Sequence, residues 1–366
     1  MNILFIANHL NVGGISSYLL TLASGLKQKG HRVYLVSSGG ELEDKFIRAG
    51  IILLKAPLNT KSEISPKIFF SFWKLKKIIR NLKIDLIHSH SRTTQVLGEL
   101  LGRVSAKPHI FTCHGFFKSR LSRRFFGGWG QKVIAISLQV KEHLVVDFKL
   151  DEKLISIIHN GIDTKNFGDF SNRDNLRRQL SEGADFLVGI IARLSDVKGH
   201  TYLIAAMQEV IKNFPKTKLL IIGQGKTREV LIKETRDLGL ESSIVFIPEA
   251  KDTKVLLAAM DIFVMPSLQE GLGLALMEAM AQGLAVVGSE VGGIKTLIED
   301  KVNGLLVPPA NAPALAEAMI VLLKSPQLRM SLGLRAREFI AANFSQEEMV
   351  DKTEIVYQQV LAGPRN

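Results

Sequence analysis

Cysteine is nearly absent from this 366-residue chain, and Cys113 is its only one. A single thiol excludes an internal disulfide framework and suits a reducing cytoplasm. It ends the strand-like run His109 to Cys113, where an inert buried thiol is expected in place of a nucleophile. No apolar run reaches the ~20 residues of a membrane-spanning helix. The opening Met1 to Ala7 lacks a basic n-region and leads into Asn11-Val12-Gly13-Gly14, which reads as strand and glycine loop and not as a signal peptide. Internal repeats and low-complexity tracts are missing as well. Gly225-Lys226-Thr227 ends like a Walker A loop, but the first glycine of that motif would fall on Leu220. The dinucleotide fingerprint fails likewise, because its third glycine would be Arg228. Neither ATP hydrolysis nor NAD chemistry is therefore supported. No D-x-D occurs, so a diphosphate held through a metal on such a pair of acids is not expected. His88-Ser89-His90 places two imidazoles at strand spacing, yet no partner at a recognisable distance completes a metal site.

What the chain does contain is enough for two domains, since 366 residues with 46% apolar content exceed a single core of ordinary size. The first half alternates β-branched runs with helical patterns. Ile3 to Ala7 precedes a helix over Ile15 to Lys29, on which Ile15, Leu19, Leu22 and Leu26 share a face. Runs follow at Arg32 to Ser37, Asp85 to His88, His109 to Cys113 and Lys132 to Ile136. After Asn160-Gly161-Ile162-Asp163 and a polar stretch, a second series begins at Phe186 to Ala192. It continues through Lys218 to Gly223, Ile244 to Ile247, Ile262 to Met265 and Leu284 to Gly288. This βαβ rhythm predicts an α/β protein of two doubly wound, Rossmann-like domains facing across a cleft. The expected boundaries are 1–165 and 166–345, with a hinge near residues 163 to 172 and a last helix in 346–366 that crosses back to the first domain. Charge is uneven: residues 1–165 hold 25 Lys and Arg against 11 Asp and Glu, and residues 166–366 hold 22 against 24. The basic half is expected to meet something anionic: a membrane surface, a phosphorylated acceptor or nucleic acid.

Glu270 and Glu278 bracket the string EGLGLALME, in which strand-like Ile262 to Met265 and a Pro266-Ser267 turn lead into a helical apolar run. Gly271 and Gly273 then sit where a loop becomes a helix, offering bare amides to a hydroxyl-rich or anionic ligand together with the positive end of the helix dipole. Arg193 and Lys198, in ARLSDVKGH after the strand Phe186 to Ala192, are two cations suited to a diphosphate. Gly13-Gly14 after the first strand would let a backbone approach a phosphate closely. Read singly, each has a plain structural explanation: an amphipathic helix, solvated charges, a tight turn. Together and in this order they resemble the group 1 retaining glycosyltransferases of the GT-B fold, family GT4. The E-x7-E string, R-L-x-x-x-K-G, the loop Gly223-Gln224-Gly225 and the string IHNGID carry the resemblance over nearly the whole chain. Val291-Gly292-Gly293-Ile294 matches too, but Lys295-Thr296 replaces the Pro-Glu that usually follows.

The resemblance implies a nucleoside-diphosphate sugar as donor, no metal and no cofactor. Arg193 and Lys198 would stabilise the departing diphosphate, and Glu278 would bind the ribose. Glu270, with the amides of Gly271, Leu272, Gly273 and Leu274, would hold the sugar. His114 would touch the donor sugar, Gly223 and Gly225 would lie near the nucleotide, and Gly13 and Gly14 would contact donor phosphate or acceptor. Glu270 could instead act as a covalent nucleophile, although the family is widely thought to use front-face attack. The expected acceptor is a lipid-linked or cell-envelope glycan, and the expected place is the cytoplasm, peripheral on the inner face of the plasma membrane. A sugar-nucleotide epimerase of the same fold and a non-catalytic basic nucleic-acid-binding protein are the alternatives, though no recognised nucleic-acid motif accompanies the charge. Two stretches mix aromatic with basic residues as a bilayer interface would. In Pro66 to Arg80, Ile68, Phe72, Leu75 and Ile79 form an inward stripe that leaves Phe70, Trp73, Lys74 and Lys77 outward; the second is Phe116 to Trp129.

Overall fold

A computed structural model describes residues 1–60, 62, 65–117, 128–168, 173–248 and 253–363. The chain divides into two compact units, Met1–Gly161 with Gln346–Asn366, and Ile162–Ser345. The division falls inside the string IHNGID. The Gly161 amide donates to Met349 Sδ at 3.1 Å in the first unit, while the Ile162 amide donates to the Phe344 carbonyl at 2.9 Å in the second.

Seven strands build the first sheet: β1 (Asn2–Ile6), β2 (Arg32–Ser37), β3 (Ile52–Lys55), β4 (Leu86–Ser89), β5 (His109–Cys113), β6 (Lys132–Ala135) and β7 (Ile155–Ile157). They run parallel in the order β3-β2-β1-β4-β5-β6-β7. Central strands such as Leu86–Ser89 are buried throughout because helices cover both faces, so exposed and buried positions do not alternate along them. The helix Gly14–Gln28 buries Tyr18, Leu19, Leu22 and Leu26. Ile15, expected on that face, is instead exposed: it stands in the first turn, beside the exposed Gly13 and Gly14.

The last helix, Gln346–Ala362, lies on Gly14–Gln28. A Cβ at Gly25 would come within 2.4 Å of Val350, so the missing side chain permits the close packing. Met349, Val350, Val356 and Tyr357 join the core of the first sheet, and Lys29 holds Asp351 and Glu354 at 2.5 and 2.6 Å.

The second unit has β8 (Phe186–Ile191), β9 (Thr217–Ile222), β10 (Ile244–Ile247), β11 (Ile262–Met265), β12 (Ala285–Ser289) and β13 (Leu305–Val307), parallel in the order β10-β9-β8-β11-β12-β13. Both sheets reverse direction of growth once, between β1 and β4 and between β8 and β11. Loops that leave the carboxyl ends of strands at such a reversal diverge and open a crevice for ligands.

Candidate functional site

In the second unit the reversal brings together the loops after β8 and β11. The first carries Arg193 and a short 3-10 turn, Asp196–Lys198, ended by Gly199 with φ 70°. The second runs from Pro266 to Gly273 and opens the helix Leu274–Ala281. They are stitched by the Leu268 amide, which donates to the Val197 carbonyl at 2.8 Å. A Cβ at Gly199 would lie 1.9 Å from the Pro266 carbonyl oxygen, so only glycine allows this approach. The result is an ion pair between residues 72 apart in sequence: Lys198 Nζ donates to Glu270 Oε2 at 2.5 Å, with the two side chains 19% and 12% exposed. The Ser267 hydroxyl adds a bond to the same oxygen at 3.4 Å. Arg193 is exposed and has no carboxylate partner among the described residues.

Two further loops brace this arrangement. The Leu194 amide donates to the Gln224 carbonyl at 2.9 Å, and Cβ atoms at Gly223 or Gly225 would meet the Ala192 or Leu194 carbonyl oxygens at 2.1 or 1.9 Å. Gly292 and Gly293 stand behind the acid: the Gly293 amide donates to the Glu270 carbonyl at 3.0 Å, and a Cβ at Gly292 would lie 2.2 Å from that oxygen. Gly273 adopts φ 95° as the cap before the helix, and Gly271, Leu272 and Gly273 are buried. Leu272 therefore serves the core with its side chain and has only its backbone to offer a ligand. Leu274 and Glu278 are half-buried one turn apart, and Glu278 accepts a bond from the Thr253 hydroxyl at 2.9 Å. Beneath Lys198, the buried ring of His200 has no hydrogen-bond partner at either nitrogen. Burial and then the neighbouring Lys198 cation push it down to about 4, so it is neutral at pH 7.

The corresponding reversal in the first unit is lined by rings. Gly13 takes φ 153° and Gly14 opens its helix, both exposed, with nothing within 4 Å of where their Cβ atoms would be. The His90 amide donates to the Ile6 carbonyl at 3.1 Å. The His88 and His90 rings lie 4.0 Å apart, and His114 stands edge-on to Tyr18 at 4.6 Å. Burial holds His88 and His90 well below the usual range, with the neighbouring histidines adding to it, and pushes His114 down to about 3. His88 spends both nitrogens on neutral hydroxyls, Tyr357 at 2.6 Å and Thr112 at 2.7 Å. Among the described residues no group of three His, Cys, Asp or Glu could hold a metal ion. Cys113 is buried, and burial pushes its thiol up to about 12.

Two family models match successive parts of the chain: Glycosyltransferase Family 4 over residues 12–166 and Glycosyl transferases group 1 over residues 172–339. The chain is a group 1 glycosyltransferase of family 4. Among its relatives is the Escherichia coli UDP-Gal:alpha-D-GlcNAc-diphosphoundecaprenol alpha-1,3-galactosyltransferase, 26% identical over 304 residues and 78% of each chain. The phosphatidyl-myo-inositol mannosyltransferase of Mycolicibacterium smegmatis is 28% identical, over 89% of this chain and 85% of its own. Anabaena HepE, solved in complex with UDP-glucose, superposes with a TM-score of 0.87 at 22% identity, over 98% of this chain and 100% of its own. The fold is GT-B.

Within this glycosyltransferase the structure brings Lys198 to Glu270 and places Arg193, Gly223 and Gly225 in the adjoining loops. Gly13, Gly14 and His114 belong to the other unit. Sequence reasoning missed Thr253, Ser267 and the buried His200. Gly292 and Gly293, in the string Val291 to Ile294, back the Glu270 main chain. Small residues beside the acidic loop are a signal for Ser267, whereas Thr253 and His200 carried none. Of the stretch Phe116 to Trp129, residues 118–127 lie outside those described. Phe117 stacks on Phe111 at 6.2 Å, Phe116 meets His143 at 5.3 Å and Trp129 meets Phe148 at 5.3 Å. Those three rings pack within the first unit.

Proposed function

We propose that this glycosyltransferase moves a sugar from a nucleoside diphosphate to a hydroxyl acceptor, with retention of configuration and without a metal. The observation that carries the reading is the Lys198–Glu270 pair, set beside the exposed Arg193 where β8 and β11 end. Two cations carried by one loop would stabilise the charge that develops on a departing diphosphate. Glu270, fixed through its backbone by Gly293 and through its side chain by Lys198 and Ser267, accepts hydrogen bonds from hydroxyls of the sugar and orients it. Glu278, already bonded to one hydroxyl, is assigned the ribose. His114, neutral at pH 7, is suited to exchange hydrogen bonds with a sugar hydroxyl and not to carry a charge.

A structural neighbour holds UDP-glucose, which favours a uridine nucleotide. Relatives named for a diphosphoundecaprenol and a phosphatidyl-inositol acceptor favour a lipid-linked glycan. No helix of the described residues is long and apolar enough to cross a membrane. The test is a thermal-shift series with UDP, GDP, ADP, CDP and dTDP. One nucleotide should raise the midpoint, because binding at a hundredfold excess over Kd adds about 2.7 kcal/mol to the native state, and Arg193→Ala should weaken that shift. If none of the five moves the midpoint, the donor assignment fails. Transfer should survive EDTA, and NMR should show product and donor with the same anomeric configuration.

A further inference from the structure

The helix Pro66–Asn81 carries a feature that sugar transfer does not use. It begins at Ser65, whose hydroxyl accepts from the Lys67 amide, with Pro66 in the first turn, and it buries Ile68, Ser71, Leu75 and Ile79. Its outer face holds large aromatics: Phe69 and Phe70 are 68% exposed and Trp73 is 57% exposed. Phe69 and Trp73, one turn apart, meet edge-to-face at 6.2 Å, and Phe72 meets Trp73 at 5.7 Å, so the rings form a continuous ridge. Lys76 lies over the Trp73 ring at 5.6 Å. The helix has five Lys and Arg and no Asp or Glu. Among the described residues none of the five pairs with a carboxylate; Lys74, for one, donates to the Lys55 carbonyl at 2.6 Å. Exposed aromatics in a row are uncommon on a free surface and mark something that covers them.

We propose that this face docks the glycosyltransferase on an anionic bilayer, with Phe69, Phe70 and Trp73 at the headgroup level and the lysines on lipid phosphates. Two arguments select this occupant. A second copy meeting the same face across a two-fold axis would set like charge against like, since the helix has cations only. An acidic lipid surface supplies both needs at once, because it neutralises an extended row of cations and admits amphipathic rings at its interface. The proposal rests on the function proposed above only in saying why the surface is useful: it would hold the enzyme where a lipid-linked acceptor is.

Co-sedimentation of the full chain with vesicles tests it. With about 30 mol % phosphatidylglycerol in phosphatidylcholine and about 50 mM salt, most of the protein should pellet, and about 500 mM salt should reduce the bound fraction at least fivefold. The variant F69S/F70S/W73S changes exposed residues only; it should keep the wild-type melting midpoint and lose binding about tenfold. The variant K74E/K76E/K77E should lose binding at low salt as well. Wild-type protein left in the supernatant with anionic vesicles overturns the proposal, as does a triple-serine variant that pellets like wild type, or equal pelleting with neutral vesicles at high salt. Binding of a labelled single-stranded oligonucleotide that the serine variant loses, with no vesicle binding, would assign the face to nucleic acid. Vesicle binding needs no turnover, so its failure is distinct from a failure of the nucleotide series.

Discussion

Lys198→Met keeps most of the aliphatic stem and deletes the charge at the centre of the candidate site. Glu270 would keep one side-chain bond, to Ser267 at 3.4 Å, in a place where its side chain is 12% exposed. Exposed pairs contribute at most about 1 kcal/mol, and breaking a fully buried pair costs about 3–5 kcal/mol. This pair is partly screened by solvent, so the cost should be about 1–2 kcal/mol. In a unit of this size that lowers the melting midpoint by about 2–8 °C. Loss of transition-state stabilisation should be larger, about 2–4 kcal/mol, or about 30- to 1000-fold in kcat. The double variant K198M/E270Q separates the two effects. With both charges gone, no buried acid is left unpaired, so stability should recover in part, a coupling of about 0.5–3 kcal/mol. Activity should not recover. Melting curves and product formation on the same preparations decide it. Turnover within about threefold of wild type in Lys198→Met, or activity that returns together with stability in the double variant, would refute the reasoning.

Gly292→Ala, with φ 43° and a Cβ 2.2 Å from the Glu270 carbonyl oxygen, should lose about 1–3 kcal/mol and raise the KM for donor by displacing Glu270. Gly239→Ala, at φ 67° in open space, should show the backbone strain alone in its melting midpoint and leave KM unchanged. Acid should destabilise the first unit. His88, His90 and His114 have folded-state values held below the unfolded value near 6.5, so the unfolded chain takes up the protons first as pH falls; the stability present above pH 6.5 is lost below it at about 1.4 kcal/mol per pH unit per histidine. A melting midpoint unchanged from pH 7.5 to 5, followed by circular dichroism, would contradict this burial of neutral rings.

Strands were legible in the sequence where short runs rich in β-branched and aromatic residues stand between helical patterns. Arg32–Ser37, His109–Cys113, Ile244–Ile247 and Ile262–Met265 match residue for residue. Ile52–Lys55, Ile155–Ile157 and Leu305–Val307 were not seen. Each has three or four residues at a sheet edge, where partial exposure leaves little pattern; Ile244–Ile247, also at an edge, was legible because all four of its residues are β-branched or aromatic. In the site, the motifs named Lys198 and Glu270 but not their contact, since nothing local links positions 72 apart until β8 and β11 become neighbours. Thr253 carried no signal: a lone hydroxyl has no period, and its partner Glu278 lies on another helix.

The same topological device carries opposite chemistry in the two units, and this bears on which ligand each would take. At the β8/β11 reversal the loops present Arg193 and Lys198, the second of them paired with Glu270. At the β1/β4 reversal the rings are those of Tyr18, His88, His90 and His114, which are buried and neutral at pH 7. A diphosphate gains from fixed positive charge in a partly dry site, whereas buried neutral rings offer it no countercharge. Hydroxyls of a sugar or glycan need directional donors and acceptors, which neutral imidazole and phenol supply. Part of the excess of cations in residues 1–165 stands on the outward face of Pro66–Asn81, beside rings that a phosphate-lined bilayer would accommodate.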